Sequence, residues 1–271
     1  MSANQHSLGL PLRDLETPAL CLAWDVYQRN VARMKQRIIV EHGLGWRPHM
    51  KGQKAPPLAL EAIRHGALGV TCATVYEAEA MAEAGVASIL LANQVAGERK
   101  LARLARLQHL AEVIAATDSS VHAHMLSRAA VASGVIIPVL LELNVGMNRS
   151  GIAPYAPAVA LAQEVMALPG LKLRGLMGWE GHTVPMTADE KASHIPAALT
   201  KLVETADACR AAGVPVEIVS AAGSGTFRHA LGVKGLTEIQ AGGGVFCDLS
   251  YAKWGLDDHE FALTVLARVV S

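Results

Sequence analysis

The feature that most limits the fold of this chain is a regular alternation of short apolar segments with longer segments of helical pattern. Ten segments are predicted as strands: residues 18–24, 45–49, 69–72, 88–92, 112–116, 137–143, 173–178, 216–220, 236–240 and 261–270. Helical patterns include residues 25–41, 75–84, 98–107, 156–166 and 197–212. Strands separated by helices of this length form parallel βαβ units. The eight central strands therefore predict an α/β fold, the (β/α)8 TIM barrel.

A doubly wound open sheet is the alternative. That fold carries a glycine-rich dinucleotide turn after its first strand. The segment Lys51-Gly52-Gln53 does not have that pattern, so we favour the barrel.

The first and last predicted strands have no place among the eight strands of a barrel. We expect them to pair in a second, β-rich domain; a terminal strand covering the barrel floor is the alternative. The chain stops within a strand-like run, which suggests that most of that domain lies beyond Ser271. The predicted division is residues 1–24 as a segment contributing to the β domain, 25–258 as the barrel, and 259–271 as the start of the C-terminal β domain.

Composition and charge narrow the class of partner. The 271 residues are 51% hydrophobic and 18% charged, with a formal net charge of zero and no basic run, so we expect no nucleic-acid partner. The apolar runs are too short to span a membrane. Residues 1–10 lack the basic start and apolar stretch of a secretory signal, and the four cysteines are widely spaced. These features predict a cytoplasmic protein with free thiols.

Lys51 is the first candidate functional residue. It ends the segment Trp46-Arg47-Pro48-His49-Met50-Lys51, and functional side chains of barrels gather at the carboxyl ends of strands. Partial desolvation favours the neutral amine, which is the nucleophilic form. His49 precedes it by two residues, so in an extended strand both side chains lie on the same side. The alternative for His49 is a buried, packed histidine.

Two glycine-rich segments follow the last two predicted barrel strands: Ala221-Ala222-Gly223-Ser224-Gly225-Thr226 and Gln240-Ala241-Gly242-Gly243-Gly244. Small residues let backbone N–H groups approach an anion, and the two hydroxyls can donate to phosphate oxygens. Barrels often bind phosphate at these loops. A lysine opposite such a cradle suits pyridoxal 5'-phosphate (PLP), whose aldehyde reacts with an amine.

Four motifs occur in order along the chain. They are Arg-Pro-His-x-Lys at residues 47–51, Val-Gly-x-x-Arg-x-Gly at 145–151, the Ser/Thr glycine loop at 223–226, and Glu-x-Gln-x-Gly running into Phe-x-Asp-x-x-Tyr at 238–251. Over residues 17–271 the chain resembles the fold-type III PLP enzymes, specifically the D-threonine aldolase and D-serine dehydratase group; the 146–151 segment also resembles that of the more distant alanine racemases. The resemblance implies Lys51 as the Schiff-base lysine and places Arg149 near the cofactor ring or Lys51.

The residue patterns and the resemblance together define the predicted site. The catalytic candidates are Lys51, His49, Arg149, Trp179 and His182. The predicted PLP contacts are Lys51, Arg149, Trp179, Gly223, Ser224, Gly225, Thr226, Gln240, Gly242 and Gly243.

The chain departs from the family pattern at two places. Trp179 stands where the aldolases usually have a tyrosine, so the acid or base role of a phenol is missing; Glu180 and His182 are the possible substitutes. After the lysine the aldolases often have Thr-His-Lys, and the histidine is replaced by Gln53 here.

The family also implies a divalent metal, Mn or Zn, in the full-length protein. Its ligands in the family lie in the C-terminal β domain, so we predict no metal ligand in this chain. His122 and His124 form the one close histidine pair of the sequence, and we interpret them as residues of a helix start or the surface.

The resemblance implies a lyase for small D-β-hydroxy amino acids. It would work by retro-aldol cleavage, as in D-threonine aldolase, or by elimination, as in D-serine dehydratase, and the sequence does not decide between the two. An amino-acid racemase, a non-catalytic PLP-binding protein, and an aldolase that forms a Schiff base with its substrate are the alternatives. A homodimer is the family expectation.

Overall fold

The computed structural model describes residues 9–271. Its strands are β1 (Ala19–Leu22), β2 (Gly45–Trp46), β3 (Val70–Cys72), β4 (Ser88–Leu91), β5 (Glu112–Thr117), β6 (Ile137–Leu143), β7 (Leu171–Gly178), β8 (Ile218–Ala221), β9 (Glu238–Ile239) and β10 (Leu263–Leu266). Its α-helices are α1 (Trp24–Lys35), α2 (Pro56–Arg64), α3 (Val75–Glu83), α4 (Glu98–Leu107), α5 (Ser120–Ser133), α6 (Ala156–Ala167), α7 (Ala188–Ala211), α8 (Phe227–Ala230) and α9 (Leu249–Lys253). Each of the ten predicted strands corresponds to one of these strands.

Helix α7 differs most from its prediction. It begins at Ala188, whereas the sequence pattern predicts a start at residue 197, directly after Pro196. The earlier start is set by a capping box, in which the Thr187 hydroxyl accepts from the Glu190 N–H and the Glu190 carboxylate accepts from the Thr187 N–H. Pro196 is accommodated inside the helix.

The eight strands β2 to β9 form one parallel sheet in the order β2-β9-β8-β7-β6-β5-β4-β3. Its two ends meet, because His49 forms a parallel bridge with Thr71. In addition, the Leu68 N–H donates to the Trp46 carbonyl at 2.8 Å and the Thr71 N–H donates to the Pro48 carbonyl at 2.9 Å. These bonds close the sheet into a cylinder, so the predicted barrel is confirmed over the open sheet.

Side chains alternate between the inside and the outside of the cylinder. The inner cluster consists of Leu90, Ile114, Ala116, Leu140, Met177 and Ile218. Their neighbours in the strands, such as Ile89 and Leu91 on either side of Leu90, join the larger core between strands and helices. The inner cluster fills the barrel beneath its mouth, where Met177 faces a cavity.

Strands β1 and β10 pair antiparallel in a separate two-stranded sheet, from Ala19 opposite Leu266 to Leu22 opposite Leu263. Leu263 lines the cavity at the carboxyl ends of the barrel strands. The small sheet therefore lies beside the mouth and does not cover the floor. The division into domains stays a prediction, and residues 1–8 of its N-terminal segment lie outside the described part of the chain.

None of the helices within residues 9–271 combines the length and the apolar composition that crossing a bilayer requires. The cysteines Cys21, Cys72, Cys209 and Cys247 are all free, as the sequence predicts, and the last three are buried.

Candidate active site

A cavity of about 590 Å³ opens at the carboxyl ends of the barrel strands. Its lining includes His49 and Lys51 after β2, Arg149 after β6, Trp179 after β7, Gly223, Ser224 and Gly225 after β8, and Gln240, Gly242 and Gly243 after β9. The fold thus brings ten of the predicted site residues together. Thr226 and His182, the other two, do not line the cavity.

Lys51 lies in a one-turn 3-10 helix, Met50–Gly52, and not at the end of the strand itself. Strand β2 ends at Trp46, and His49 caps the turn: its Nδ1 accepts a hydrogen bond from the Lys51 N–H at 3.3 Å. The strand alternation used to place His49 and Lys51 on one side therefore does not apply here. Both nevertheless face the cavity, because the turn wraps around its edge.

The surroundings of Lys51 favour its neutral form. Desolvation by the cavity wall, followed by the nearby Arg149 guanidinium, lowers the pKa of the Lys51 amine, and Glu77 opposes this only in part. Within the described residues neither Lys51 nor Arg149 forms a salt bridge. Lys51 Nζ lies 6.0 Å from the centre of the Trp179 ring. The site therefore presents an amine without an ion partner, whose pKa lies below its ordinary value.

His49 is neutral at physiological pH. Burial, and then the charge of Lys51, lower the pKa of its imidazole to about 4. Its Nδ1 is occupied by the Lys51 N–H. The ring is uncharged, and besides the Lys51 N–H it has the Thr71 backbone as a neighbour.

The two glycine segments form an anion cradle opposite Lys51. The N–H groups of Ser224, Gly225, Gly242 and Gly243 have no hydrogen-bond acceptor among residues 9–271. The Ser224 Oγ accepts from the Gly244 N–H at 2.9 Å, which leaves its own proton free for a ligand. Free N–H groups on small residues are what a phosphate requires, so these residues fit the phosphate of PLP.

Gly242 is required by the close packing of the two strand ends. A Cβ at this position would lie 2.5 Å from the His49 backbone nitrogen. The His49 N–H donates to the Gln240 carbonyl at 3.0 Å. The lysine turn and the second glycine segment are therefore in direct backbone contact.

Thr226 holds the first glycine loop in shape. Its hydroxyl donates to the Glu180 carboxylate and accepts from the Gly223 N–H at 3.1 Å. The side chain is buried and faces away from the cavity. Of the two predicted hydroxyl donors, only Ser224 lines the cavity; a contact of Thr226 with the phosphate stays a prediction.

Trp179 lies against the first glycine loop. A Cβ at Gly223 would approach its ring to 2.6 Å, and a Cβ at Gly181 would also collide with the indole. The two glycines thus make the space that the large ring occupies. Trp179 lines the cavity beside this loop.

The possible substitutes for the missing phenol lie outside the cavity. Glu180 is fully buried behind the glycine loop, its Oε2 has no partner in the described structure, and burial raises its pKa to about 7. The His182 ring packs on Gly146, where a Cβ would approach it to 2.6 Å, and burial lowers its pKa. The structure brings neither group to the cavity surface.

The loop that carries Arg149 is fixed by acceptors on its own segment and on β6, the strand that precedes it. Asn144 Oδ1 accepts from the N–H groups of Gly146 at 3.1 Å and Asn148 at 3.0 Å. The buried Glu142 carboxylate accepts from the Ser150 hydroxyl at 2.8 Å. The ordered loop presents the Arg149 guanidinium at the mouth, where it lines the cavity.

Several lining residues were not predicted. Phe246, Tyr251, Trp254 and Leu263 form an aromatic and apolar outer wall. The Phe-x-Asp-x-x-Tyr motif contained a signal for Phe246 and Tyr251, and the Tyr251 phenol packs on Gly243. Leu263 was assigned to a strand outside the barrel, so its contribution to the site had no signal.

The described residues do not fit a metal site by themselves. No group of three side chains suited to a metal ion comes together in residues 9–271. His122 lies 2.9 Å from the Val95 carbonyl, and His124 lies 3.2 Å from Glu164. The two histidines of α5 thus have separate partners.

Comparison with known proteins supports the same assignment. The sequence profile described as alanine racemase, N-terminal domain, matches residues 24–249. The chain is 34% identical over 269 residues to a D-threonine aldolase of Arthrobacter sp., covering 97% of this chain and 70% of that protein. It is 32% identical over 262 residues to a D-threo-3-hydroxyaspartate dehydratase of Delftia sp. strain HT23, covering 96% of this chain and 69% of that protein.

A solved structure has the same architecture. The D-threonine aldolase from Filomicrobium marinum superimposes with a TM-score of 0.92 at 36% identity, covering 95% of this chain and 70% of that one. This chain thus spans roughly two thirds of the length of these relatives. With its closed barrel, its cavity lysine and its glycine cradle, the chain belongs to the alanine racemase N-terminal domain family, the barrel family of the fold-type III PLP enzymes.

Proposed function

We propose that this chain is the PLP-binding part of a lyase that acts on small D-β-hydroxy amino acids. The observation that carries the proposal is the unpaired Lys51 amine facing a cradle of free N–H groups within one cavity. The relatives that share most of this chain are named an aldolase and a dehydratase, and the substrates in their names are D-configured and hydroxylated at the β carbon.

The position of each residue in the cavity indicates the role that it would have toward the cofactor. PLP, when bound, supplies an electron sink for charge that develops at the substrate α carbon. The Lys51 amine would be the point of covalent attachment and, when free, a base whose pKa lies below its ordinary value. Ser224, Gly225 and Gly243 would hold the phosphate, and the Arg149 guanidinium would offer donors to anionic oxygens near the amine.

Cleavage and dehydration differ in which bond of the substrate breaks. Retro-aldol cleavage breaks Cα–Cβ and requires a base at the β-hydroxyl, whereas elimination removes the α proton and expels hydroxide. Trp179 cannot act as the hydroxyl base, because its indole N–H is only a donor. Among the lining residues, His49 and Lys51 can accept a proton, and they are candidates for the base of cleavage.

The test is a substrate panel. Protein reconstituted with PLP is incubated with D-threonine, D-serine and D-threo-3-hydroxyaspartate, with and without Mn²⁺ or Zn²⁺. We expect glycine plus an aldehyde if cleavage operates, and ammonia plus a keto acid if elimination operates. The L-enantiomers are the matched control and should not react. Interconversion of the enantiomers without either product set would replace the lyase proposal by a racemase.

We further propose a homodimer located in the cytoplasm. The four free cysteines are consistent with a reducing compartment. Sedimentation of the full-length protein at several concentrations tests the assembly, and a monomer at every concentration would contradict it.

A further inference from the structure

Gln53 joins the two halves of the cofactor site without lining the cavity. Its N–H closes the lysine turn on the Met50 carbonyl at 2.9 Å. Its side-chain Nε2 donates to the Gly242 carbonyl at 3.1 Å, across a separation of 189 residues in sequence. One residue thus contacts both the Lys51 turn and the second glycine segment.

The bond to Gly242 decides which way the next peptide faces. The peptide between Gly242 and Gly243 is trans, and in a trans peptide the carbonyl and the following N–H point in opposite directions. Gln53 holds the carbonyl on the side away from the cavity, because it is not among the lining residues. The Gly243 N–H therefore points to the cavity side, where it has no acceptor among residues 9–271.

The Gln53 amide is itself held in place. The Tyr27 hydroxyl lies 3.3 Å from Gln53 Oε1 and 3.3 Å from the Leu58 carbonyl, so its one proton is shared between the two acceptors, and Tyr27 is fully buried in the main core. With its oxygen occupied in this way, the amide is oriented so that Nε2 faces Gly242. The donor is anchored to the rigid part of the barrel, not only to a surface loop.

We propose that Gln53 is a positioning residue for the cofactor phosphate. By holding the Gly242 carbonyl outside the cavity it turns the Gly243 N–H toward the phosphate, and by bridging the two segments it fixes the separation between that N–H and the Lys51 amine. The role rests on the PLP-binding function proposed above. A histidine at this position would also offer a donor, from its ring N–H.

The experiment compares two ligands that differ only in the phosphate. The full chain is freed of cofactor and titrated with PLP and with pyridoxal, following the visible band and tryptophan fluorescence. Gln53→Met should raise the dissociation constant for PLP about tenfold, the size of one lost hydrogen bond to a charged group, and leave that for pyridoxal unchanged. Gln53→His should keep the preference for PLP.

Gln163→Met is the matched control, because Gln163 is exposed on α6 and does not line the cavity. It should change neither constant. If Gln53→Met does not fold, the comparison is made with Gln53→Ala, which removes the donor without adding a charge near the phosphate cradle.

An equal increase in the dissociation constants for PLP and pyridoxal, or an unchanged constant for PLP, would overturn the role of Gln53. Loss of a purely structural residue would not weaken PLP binding more than pyridoxal binding. Failure of the unsubstituted protein to bind PLP or pyridoxal would instead overturn the cofactor assignment, and this role with it.

Discussion

Both ends of the barrel carry charged side chains, but the cations that line the cavity differ from those of the floor in having no ion partner among the described residues. Near the amino-terminal ends of the strands, the buried Arg47 donates from Nε to both oxygens of Glu238 at 3.1 Å. Arg174 binds Glu112 and Glu217 on either side. The floor charges thus have partners across several strands.

At the mouth, Lys51 and Arg149 have no carboxylate partner within the described residues, and the glycine segments keep free N–H groups. The paired charges of the floor therefore stabilise the fold, and the groups without partners at the mouth are the functional candidates. Paired polar groups hold the strands together, whereas groups left without partners are available to a ligand.

The largest effect that this comparison predicts is at Lys51. Lys51→Ala removes the amine that faces the cradle, so we expect loss of the visible band of bound PLP and a fall in activity of roughly 10²–10⁴-fold or more. Absorbance of the purified protein and product formation measure this. Lys172→Ala, an exposed lysine near the floor, is the control and should change neither. A retained band in the Lys51 variant would reject the assignment.

The second effect is on stability and should appear at the floor alone. Glu238→Ala leaves Arg47 buried without its ion partner, and breaking such a pair costs about 3–5 kcal/mol of unfolding free energy. Arg149→Met at the mouth should stay within about 0.5 kcal/mol. Urea unfolding of the two variants measures the difference. Similar losses in both would show that the mouth cation is structural after all.

The smallest predicted effect is a change in the pH dependence of stability, caused by Glu180. This residue is the one buried carboxyl near the mouth with an unpaired oxygen in the described structure. Burial raises its pKa from 4.5 to about 7. The folded chain therefore keeps a proton between these values that the unfolded chain has lost. Its contribution to stability is full below pH 4.5 and is lost as the pH rises through 7, by about 3 kcal/mol in total.

Glu180→Gln should remove this part of the pH dependence, because the amide does not titrate and its oxygen still accepts from Thr226. Unfolding free energies at pH 5 and pH 8 test it. Glu83→Gln, at an exposed glutamate on α3, should retain the slope of the unsubstituted protein. A slope in the Glu180 variant equal to that of the control would contradict the prediction.

Much of the fold and of the site could be predicted, because both rest on local patterns. The alternation of apolar and helical segments identifies the barrel, and small residues after strands identify the phosphate loops. The start of α7 could also have been found, since the Thr187–Glu190 capping box is a sequence signal, but Pro196 obscured it.

What could not be predicted depends on contacts between distant segments. From the sequence, Ser224 and Thr226 appear as two equivalent hydroxyl donors. In the folded chain Glu180 accepts from the Thr226 hydroxyl, which therefore turns away from the cavity. In the sequence, Gln53 appears only as a departure from the family motif. No pattern of neighbouring residues predicts its hydrogen bond to the Gly242 carbonyl. Contacts that form only when the barrel closes cannot be predicted from the spacing of residues along the chain.

Strands β2 and β9 are each two residues long, so few backbone hydrogen bonds join them to their neighbours in the cylinder. These strands lie side by side next to the junction with β3, and they carry the lysine turn and the second glycine segment directly after them. A molecule held by both segments spans the least extensively bonded stretch of the wall. By mass action such a ligand stabilises the closed cylinder, so it strengthens the wall where the backbone bonding between strands is sparsest.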